Sequence, residues 1–170
     1  MDMSNSNNGN KTILWIAGGC LAILICAAIV IFGGFGGLMW LGSQTPDNAN
    51  IQLQVPAEVS ADNVVELKAV ITNIGAEPLE VSSIDIGMKY LNGFFIESTS
   101  PPYSETNQYD GLDGETFQTY YFYVTVAPGE SLTIVFHARA VGKGDFSGNF
   151  DVCIDSDYTC RTDIVRTIVK

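Results

Sequence analysis

Beyond residue 50 the apolar positions recur at every second residue, which is the period of a β-strand with one buried face. Clear runs of this kind cover residues 65–71, 84–90, 132–138 and 146–152. Segments rich in Gly and Pro separate the runs and mark turns, at residues 74–78, 127–130 and 142–145. Weaker runs add strands at residues 51–55, 93–98, 116–126 and 161–169. Short strands without intervening helices predict an antiparallel β-sandwich of two sheets over residues 51–170.

The aromatic segment Phe117–Tyr123 places rings on both faces of one predicted strand. Either Phe117, Tyr121 and Tyr123 or Tyr120 and Phe122 should fill the core. The other set needs a cover, which could be the irregular segment 99–115, a protein partner or a sugar. We therefore take five tyrosines as partner-binding candidates: Tyr103, Tyr109, Tyr120, Tyr121 and Tyr123.

The N-terminal part of the chain has a different pattern. Residues 1–11 form a polar tail that ends in Lys11, and residues 12–42 carry no Asp, Glu, Lys or Arg. A helix of about 20 apolar residues is about 30 Å long, which is the thickness of a bilayer core. We expect residues 12–42 to be a retained single-pass signal-anchor and residues 43–50 to be a linker. With Lys11 on its N-terminal flank, the positive-inside rule predicts a cytoplasmic N-terminus and an extracytoplasmic β domain in the cell membrane.

The predicted anchor has a stripe of small residues at helical spacing. Small side chains allow two membrane helices to approach closely. The candidate helix-packing residues are Gly18, Ala22, Cys26, Gly33, Gly34 and Gly37. The alternative is that these residues reflect only the high frequency of Gly and Ala in membrane helices.

Composition and charge narrow the class of function. The 170-residue chain carries 19 Asp and Glu against 8 Lys and Arg, a net charge of −11. Nucleic-acid binding needs clustered cations, and the sequence has no such cluster. His137 is the one histidine and occupies a polar strand position, while phosphate-binding and nucleophile-elbow motifs are absent. We expect no enzyme activity and no cofactor.

Two cysteines near the C-terminus, Cys153 and Cys160, are separated by six residues. This spacing suits a disulfide across a hairpin, and a disulfide in turn suits an oxidising compartment outside the cell. Acidic residues cluster at residues 110–115 and 151–157. They offer oxygen ligands for calcium but match no EF-hand loop, so we predict no metal site and keep calcium as an alternative.

Three motifs in the β region resemble those of CARDB-like domains, which are immunoglobulin-like modules of bacterial and archaeal surface proteins. They are Val70-Ile71-Thr72-Asn73-Ile74-Gly75, Val126-Ala127-Pro128-Gly129-Glu130-Ser131-Leu132-Thr133 and Gly144-Asp145-Phe146. The resemblance covers about residues 51–170 and implies an immunoglobulin-like sandwich in an envelope protein. It carries over no catalytic residue, and the pair Cys153 and Cys160 is not part of the family pattern.

The sequence therefore predicts a membrane-anchored, extracytoplasmic immunoglobulin-like module. Its expected role is that of a structural, adhesive or accessory subunit that associates with a protein partner or with itself. One alternative is a pilin-like filament subunit, whose N-terminal helix would lie in a filament core. The other is a surface module that binds sugar or calcium, for which the sequence gives less support.

Overall fold

The computed structural model of the protein describes residues 45–111 and 114–170, which form β-strands and one helical turn. The elements, in chain order, are β1 (Ala49–Gln54), β2 (Glu58–Val59), β3 (Val64–Asn73), β4 (Leu79–Gly87), α1 (Met88–Leu91), β5 (Phe94–Ser100), β6 (Glu105–Asp110), β7 (Thr116–Val126), β8 (Ser131–Ala140), β9 (Gly144–Ile154) and β10 (Cys160–Val169).

The strands form two sheets, one of four strands in the order β1-β3-β8-β5 and one of six in the order β2-β10-β9-β4-β7-β6. All pairings are antiparallel except that of β2 with β10, which is parallel. The predicted β-sandwich of two sheets is confirmed and consistent with an immunoglobulin-like fold, but the six-stranded sheet is mixed and not purely antiparallel.

Strands β3 and β8 show why the sequence folds this way. Leu67, Ala69 and Ile71 of β3 are buried, as are Ile134 and Phe136 of β8. The alternate residues of both strands remain at least partly accessible. Because successive side chains point to opposite faces, each strand buries one apolar row against the other sheet. Rows of this kind from both sheets form one continuous hydrophobic core.

Strand β4 departs from the prediction of one wet face. Ser83 and Asp85, which the alternation assigns to solvent, are buried together with Ile84 and Ile86. Strand β4 lies between β9 and β7 in the six-stranded sheet, so neighbouring strands flank it on both sides. Its outer face is additionally covered by Tyr109 of β6, whose hydroxyl reaches Asp85.

Two segments differ from the predicted elements. The strand predicted over residues 84–90 ends at Gly87, and the next four residues form the helical turn α1. Tyr90 and Leu91 are consecutive and both buried, which a strand with one buried face would not allow. The segment 99–115, predicted as an irregular loop, contains the end of β5 and the whole of β6.

The predicted anchor and its helix-packing residues, Gly18 to Gly37, lie outside the described residues. Among residues 45–111 and 114–170, no helix is long and apolar enough to cross a membrane. The anchor therefore stays a prediction from the sequence.

Candidate binding face

The choice between the two aromatic sets of β7 is decided by packing across the sandwich. Tyr120 and Phe122 point inward, and their ring centroids lie 5.2 Å and 6.0 Å from that of the buried Phe136. Burial is the main reason that the pKa of Tyr120 rises to about 12. The other set, Phe117, Tyr121 and Tyr123, is consequently on the outer side of the six-stranded sheet.

A bulge in β7 sets the position of Tyr123. Between Val81 and Ser83 of β4 the register shifts by one residue. Tyr123 at this bulge has a φ of 52°, a left-handed conformation that bulky residues rarely adopt. The rings of Tyr121 and Tyr123 stack with a centroid distance of 5.7 Å, and Tyr123 keeps 48% of its surface exposed.

Strand β6 covers the remaining aromatic of the outer set. The ring of Tyr109 stacks on that of Phe117 at 5.4 Å, which leaves Phe117 buried. The four side chains Tyr109, Phe117, Tyr121 and Tyr123 form a surface that we call the tyrosine face. The segment 99–115 thus covers part of the outer aromatic set, as the sequence allowed, but it does so as a strand.

Two of the five tyrosines proposed as partner-binding candidates lie elsewhere. Tyr120 is in the core, and the ring of Tyr103 packs edge-on against it at 5.4 Å. Tyr103 therefore sits over the inward side of β7, and keeps 40% of its surface exposed. The structure brings together Tyr109, Tyr121 and Tyr123 and separates them from Tyr103 and Tyr120.

A buried carboxyl group lies beneath the tyrosine face. In the sheet register, Asp85 of β4 is directly opposite Thr119 of β7 on one side and Asp151 of β9 on the other. The Tyr109 hydroxyl donates a hydrogen bond to Asp85 Oδ2 at 3.1 Å. Burial raises the pKa of Asp85, while the hydrogen bond from the Tyr109 hydroxyl opposes that rise. The pKa of Tyr109 is raised most by burial and further by the negative charge of Asp85.

Two further carboxylates flank the exposed end of the tyrosine face. The Tyr123 hydroxyl lies 3.5 Å from Glu105 Oε1, at the start of β6. Desolvation raises the pKa of Tyr123, and the negative charges of Glu105 and then Asp157 add to the effect. The Tyr123 hydroxyl is thus set in a negative potential.

The predicted disulfide between Cys153 and Cys160 is confirmed, with an S–S distance of 2.08 Å. The two cysteines are paired in the register of β9 with β10, where they close the hairpin that carries Asp157. In the same register, Cys153 lies opposite Ser83, whose other neighbour is Tyr121. The bridge therefore joins two strands beside the tyrosine face.

The acidic clusters considered for calcium have structural contacts. Asp155 Oδ1 accepts a hydrogen bond from the Glu80 backbone N–H at 2.7 Å, and Asp110 accepts one from the Thr116 hydroxyl at 2.8 Å. Glu115 is buried and lies 3.9 Å from the ammonium group of Lys89. Among the described residues, no group of three or more His, Cys, Asp or Glu side chains could hold a metal ion.

Sequence reasoning missed Asp85, Glu105 and Asp157 as parts of this surface. Glu105 and Asp157 lie in segments without a hydrophobic period, so no pattern links them to Tyr123. The available signal was the alternation in β4, which puts Asp85 on the face opposite Ile84 and Ile86. His137, the one histidine, is on the other sheet, with Nδ1 4.0 Å from Glu66.

Comparison with solved structures gives similarity in fold. One similar structure is AvmM, described as catalysing macrocyclization in alchivemycin A biosynthesis, with 12% identity over 74% of this chain and 90% of that chain and a TM-score of 0.51. Elastase-activated α2-macroglobulin of Escherichia coli is 15% identical and has a TM-score of 0.45. The match covers 72% of this chain and 9% of that chain. A CARDB domain from Pyrococcus furiosus, in complex with di-metal ions, is 14% identical and has a TM-score of 0.39. The match covers 75% of this chain and 97% of that chain.

At these identities the similarity concerns the fold alone, and the two structures with TM-scores below 0.5 carry no argument. A CARDB domain is nevertheless among the structural neighbours, and membership of that family stays a prediction. No known protein-family model matches the chain. No curated protein matches it in sequence.

Proposed function

We propose that the protein is a membrane-anchored, extracytoplasmic immunoglobulin-like module that binds a protein partner through its tyrosine face. In this role it is a structural, adhesive or accessory subunit of an envelope assembly, without enzymatic activity. The single observation that carries the proposal is the stack of the half-buried Tyr121 with the exposed Tyr123 on the outer side of the six-stranded sheet.

The physical argument starts from the unusual position of Tyr123. A bulky residue with positive φ costs about 1–3 kcal/mol and persists only where the surroundings enforce it. Here that conformation keeps an aromatic ring exposed at the surface instead of burying it. Tyrosine combines apolar area with a polar tip and is enriched in protein interfaces. A tyrosine stack with one exposed ring therefore favours recognition of a partner.

The membrane location rests on the sequence. Residues 12–42 supply the apolar length, and the confirmed disulfide suits an oxidising compartment. N-terminal sequencing of the mature protein separates the anchor from the pilin-like alternative. An intact N-terminus supports the retained anchor, whereas removal of a leader close to Lys11 favours the filament subunit.

The partner-binding role can be tested by site-specific photo-cross-linking of the full chain in its native envelope. A photoreactive phenylalanine at position 123 should yield discrete protein adducts. The matched control carries the same photoreactive phenylalanine in place of Phe95, which is 62% exposed on the four-stranded sheet. Adducts at position 123 that are absent at position 95 support the proposal. Equal adducts at both positions, or none at position 123, contradict it.

A further inference from the structure

Strand β6 presents an unpaired edge next to the tyrosine face. In the described structure it is the last strand of the six-stranded sheet and pairs only with β7. All six of its residues are exposed. Such an edge leaves a row of backbone N–H and C=O groups available to another extended chain.

Charge at the two ends of β6 disfavours pairing with a second copy. The strand begins at Glu105 and ends at Asp110, and it contains no cation. In an antiparallel pairing of two β6 strands over their full length, Glu105 of each copy would lie opposite Asp110 of the other. Like charges directly opposite each other are destabilising. The net charge of residues 43–170, 7 Lys and Arg minus 18 Asp and Glu or −11, adds to the repulsion.

The same charges favour a cationic occupant. Glu105 Oε1 lies 3.5 Å from the Tyr123 hydroxyl, and an aromatic face near a carboxylate attracts Lys and Arg. Within the described part of the chain, six Lys and Arg side chains form ion pairs with other carboxylates, and none of these pairs involves Glu105. This negative charge is therefore placed to meet a cation from another molecule.

We propose that the edge of β6 accepts an extended, Lys- or Arg-bearing segment of another protein, which adds a strand to the six-stranded sheet. Its cationic side chains on the outer side would lie beside Glu105 and the tyrosine face. This inference rests on the proposed function and specifies the chemistry and the binding mode of the partner.

Side-chain alternation gives the expected pattern of the partner. Glu105, Asn107 and Tyr109 share the outer face of β6, because they are paired with Tyr121, Thr119 and Phe117 of β7. An added strand would place every second side chain next to this row. A segment with Lys or Arg at alternate positions therefore matches the surface best.

The test uses synthetic peptides and the full chain in nanodiscs of zwitterionic lipid. The probe is a capped nonapeptide of alternating Lys and Thr, and the charge control replaces each Lys by Glu. A third peptide retains the Lys residues but is N-methylated across its central five residues, which removes the donors needed for strand pairing. We expect the Lys peptide to bind at least about tenfold more tightly than either control. Hydrogen exchange of the backbone amides of residues 105–110 should slow on binding.

Protein variants locate the site. Glu105→Gln should weaken binding of the Lys peptide about threefold to fivefold, as expected for one exposed ion pair. The matched control, Glu97→Gln, removes the same charge from the four-stranded sheet and should leave the affinity within about 1.5-fold. Equal losses in both variants would show attraction to net charge alone and would overturn the inference.

The remaining outcomes also decide between the two proposals. If the Lys peptide binds no more tightly than the Glu peptide, or the N-methylated peptide binds equally well, the strand-addition inference is wrong. If cross-linking at position 123 still yields adducts in that case, the proposed function stands with a partner of different chemistry. Failure of the cross-linking experiment removes the proposed function whatever the peptides show.

Discussion

The Tyr109 hydroxyl donates a hydrogen bond to the buried carboxyl group of Asp85, and this contact connects the edge strand β6 to the central strand β4 across β7. It adds to the backbone pairing of β6 with β7 in holding an entirely exposed strand on the sheet. The Tyr109 ring stacks on Phe117, and its hydroxyl reaches a polar group that would otherwise be harder to bury.

Removing this hydroxyl should destabilise the protein. We expect Tyr109→Phe to lower the free energy of unfolding by about 1–2 kcal/mol, because a buried carboxyl group loses a donor. The control is Tyr123→Phe, which removes only a 3.5 Å contact with the exposed Glu105 and should change stability by less than about 0.5 kcal/mol. Urea denaturation measures both. Equal effects of the two substitutions would contradict the role given to the Tyr109 hydroxyl.

The raised pKa of Asp85 predicts a specific pH dependence. The folded protein holds a proton on Asp85 more tightly than the unfolded chain, whose pKa is near 3.8. The stabilisation is therefore fully present below that value and is lost as the pH rises through the folded pKa.

Asp85→Asn removes this titration. The free energy of unfolding of the wild type minus that of the variant should be larger at about pH 3 than at about pH 7. Denaturation of both proteins at both pH values tests this. The other carboxyl groups are common to the two proteins, so their contributions to the free energy of unfolding cancel in the difference. A difference that grows with pH would show that the folded structure favours the charged form of Asp85.

Asn73, in the first of the three motifs that resemble CARDB-like domains, makes three hydrogen bonds through its side chain. Its side-chain amide donates to the carbonyl oxygens of Glu77 and Val126 at 2.8 Å and 2.9 Å, and its Oδ1 accepts from the Gly75 N–H at 2.9 Å. Asn73→Ala should cost about 3 kcal/mol in the free energy of unfolding. Asn73→Asp should cost at least as much, since a carboxylate would face two carbonyl oxygens. Thermal denaturation of both variants tests this ranking. A smaller loss of stability in Asn73→Asp than in Asn73→Ala would contradict it.

Thr167 connects a buried tyrosine with the segment before β2. Its hydroxyl donates to the Pro56 carbonyl at 2.6 Å and lies 2.9 Å from the Tyr90 hydroxyl. Thr167→Val leaves both partners without this hydroxyl and should cost about 1–3 kcal/mol. Tyr90→Phe leaves the bond to Pro56 intact and should cost less, about 0.5–1.5 kcal/mol. Chemical denaturation would contradict this account if the Tyr90 variant were the less stable of the two.

The Cys153–Cys160 disulfide should stabilise the domain by restricting the unfolded chain. With a sequence separation of 7, the entropic model gives about 2–3 kcal/mol. We expect Cys153→Ser with Cys160→Ser to lower the free energy of unfolding by this amount in oxidising buffer. Under reducing conditions the wild type should approach the variant. Mass spectrometry with thiol blocking verifies the bridge, and free thiols in protein recovered from the envelope would contradict it.

The strands that the sequence predicted well are those with one polar face. In β3 and β8, charged and hydroxyl residues alternate with aliphatic ones, so the period of two is visible. Strand β6 was missed because every residue in it is exposed, and an edge strand without a buried face has no such period. The turn α1 was missed because Met88 and Tyr90 extend the alternation of β4 by chance.

The candidate site was predictable only in part. The alternation of β7 showed that two aromatic sets face opposite ways, but not which set is inside, since both have the size and polarity of core residues. That choice depends on Phe136 in the opposite sheet, which contacts Tyr120 and Phe122. The burial of Asp85 depends on neighbours contributed by β6 and β9, which are distant in sequence.

The parallel pairing of β2 with β10 determines how the domain bears mechanical load. Ile168 N–H donates to the Ala57 carbonyl, Lys170 N–H to that of Val59, and Ala61 N–H to that of Lys170. Tension applied between Pro56, just before β2, and Lys170 would pull these parallel strands in opposite directions along their length. The three bonds would then be loaded together in shear instead of breaking one after another. The pairing therefore resists the separation of Pro56 from Lys170 along the strand direction.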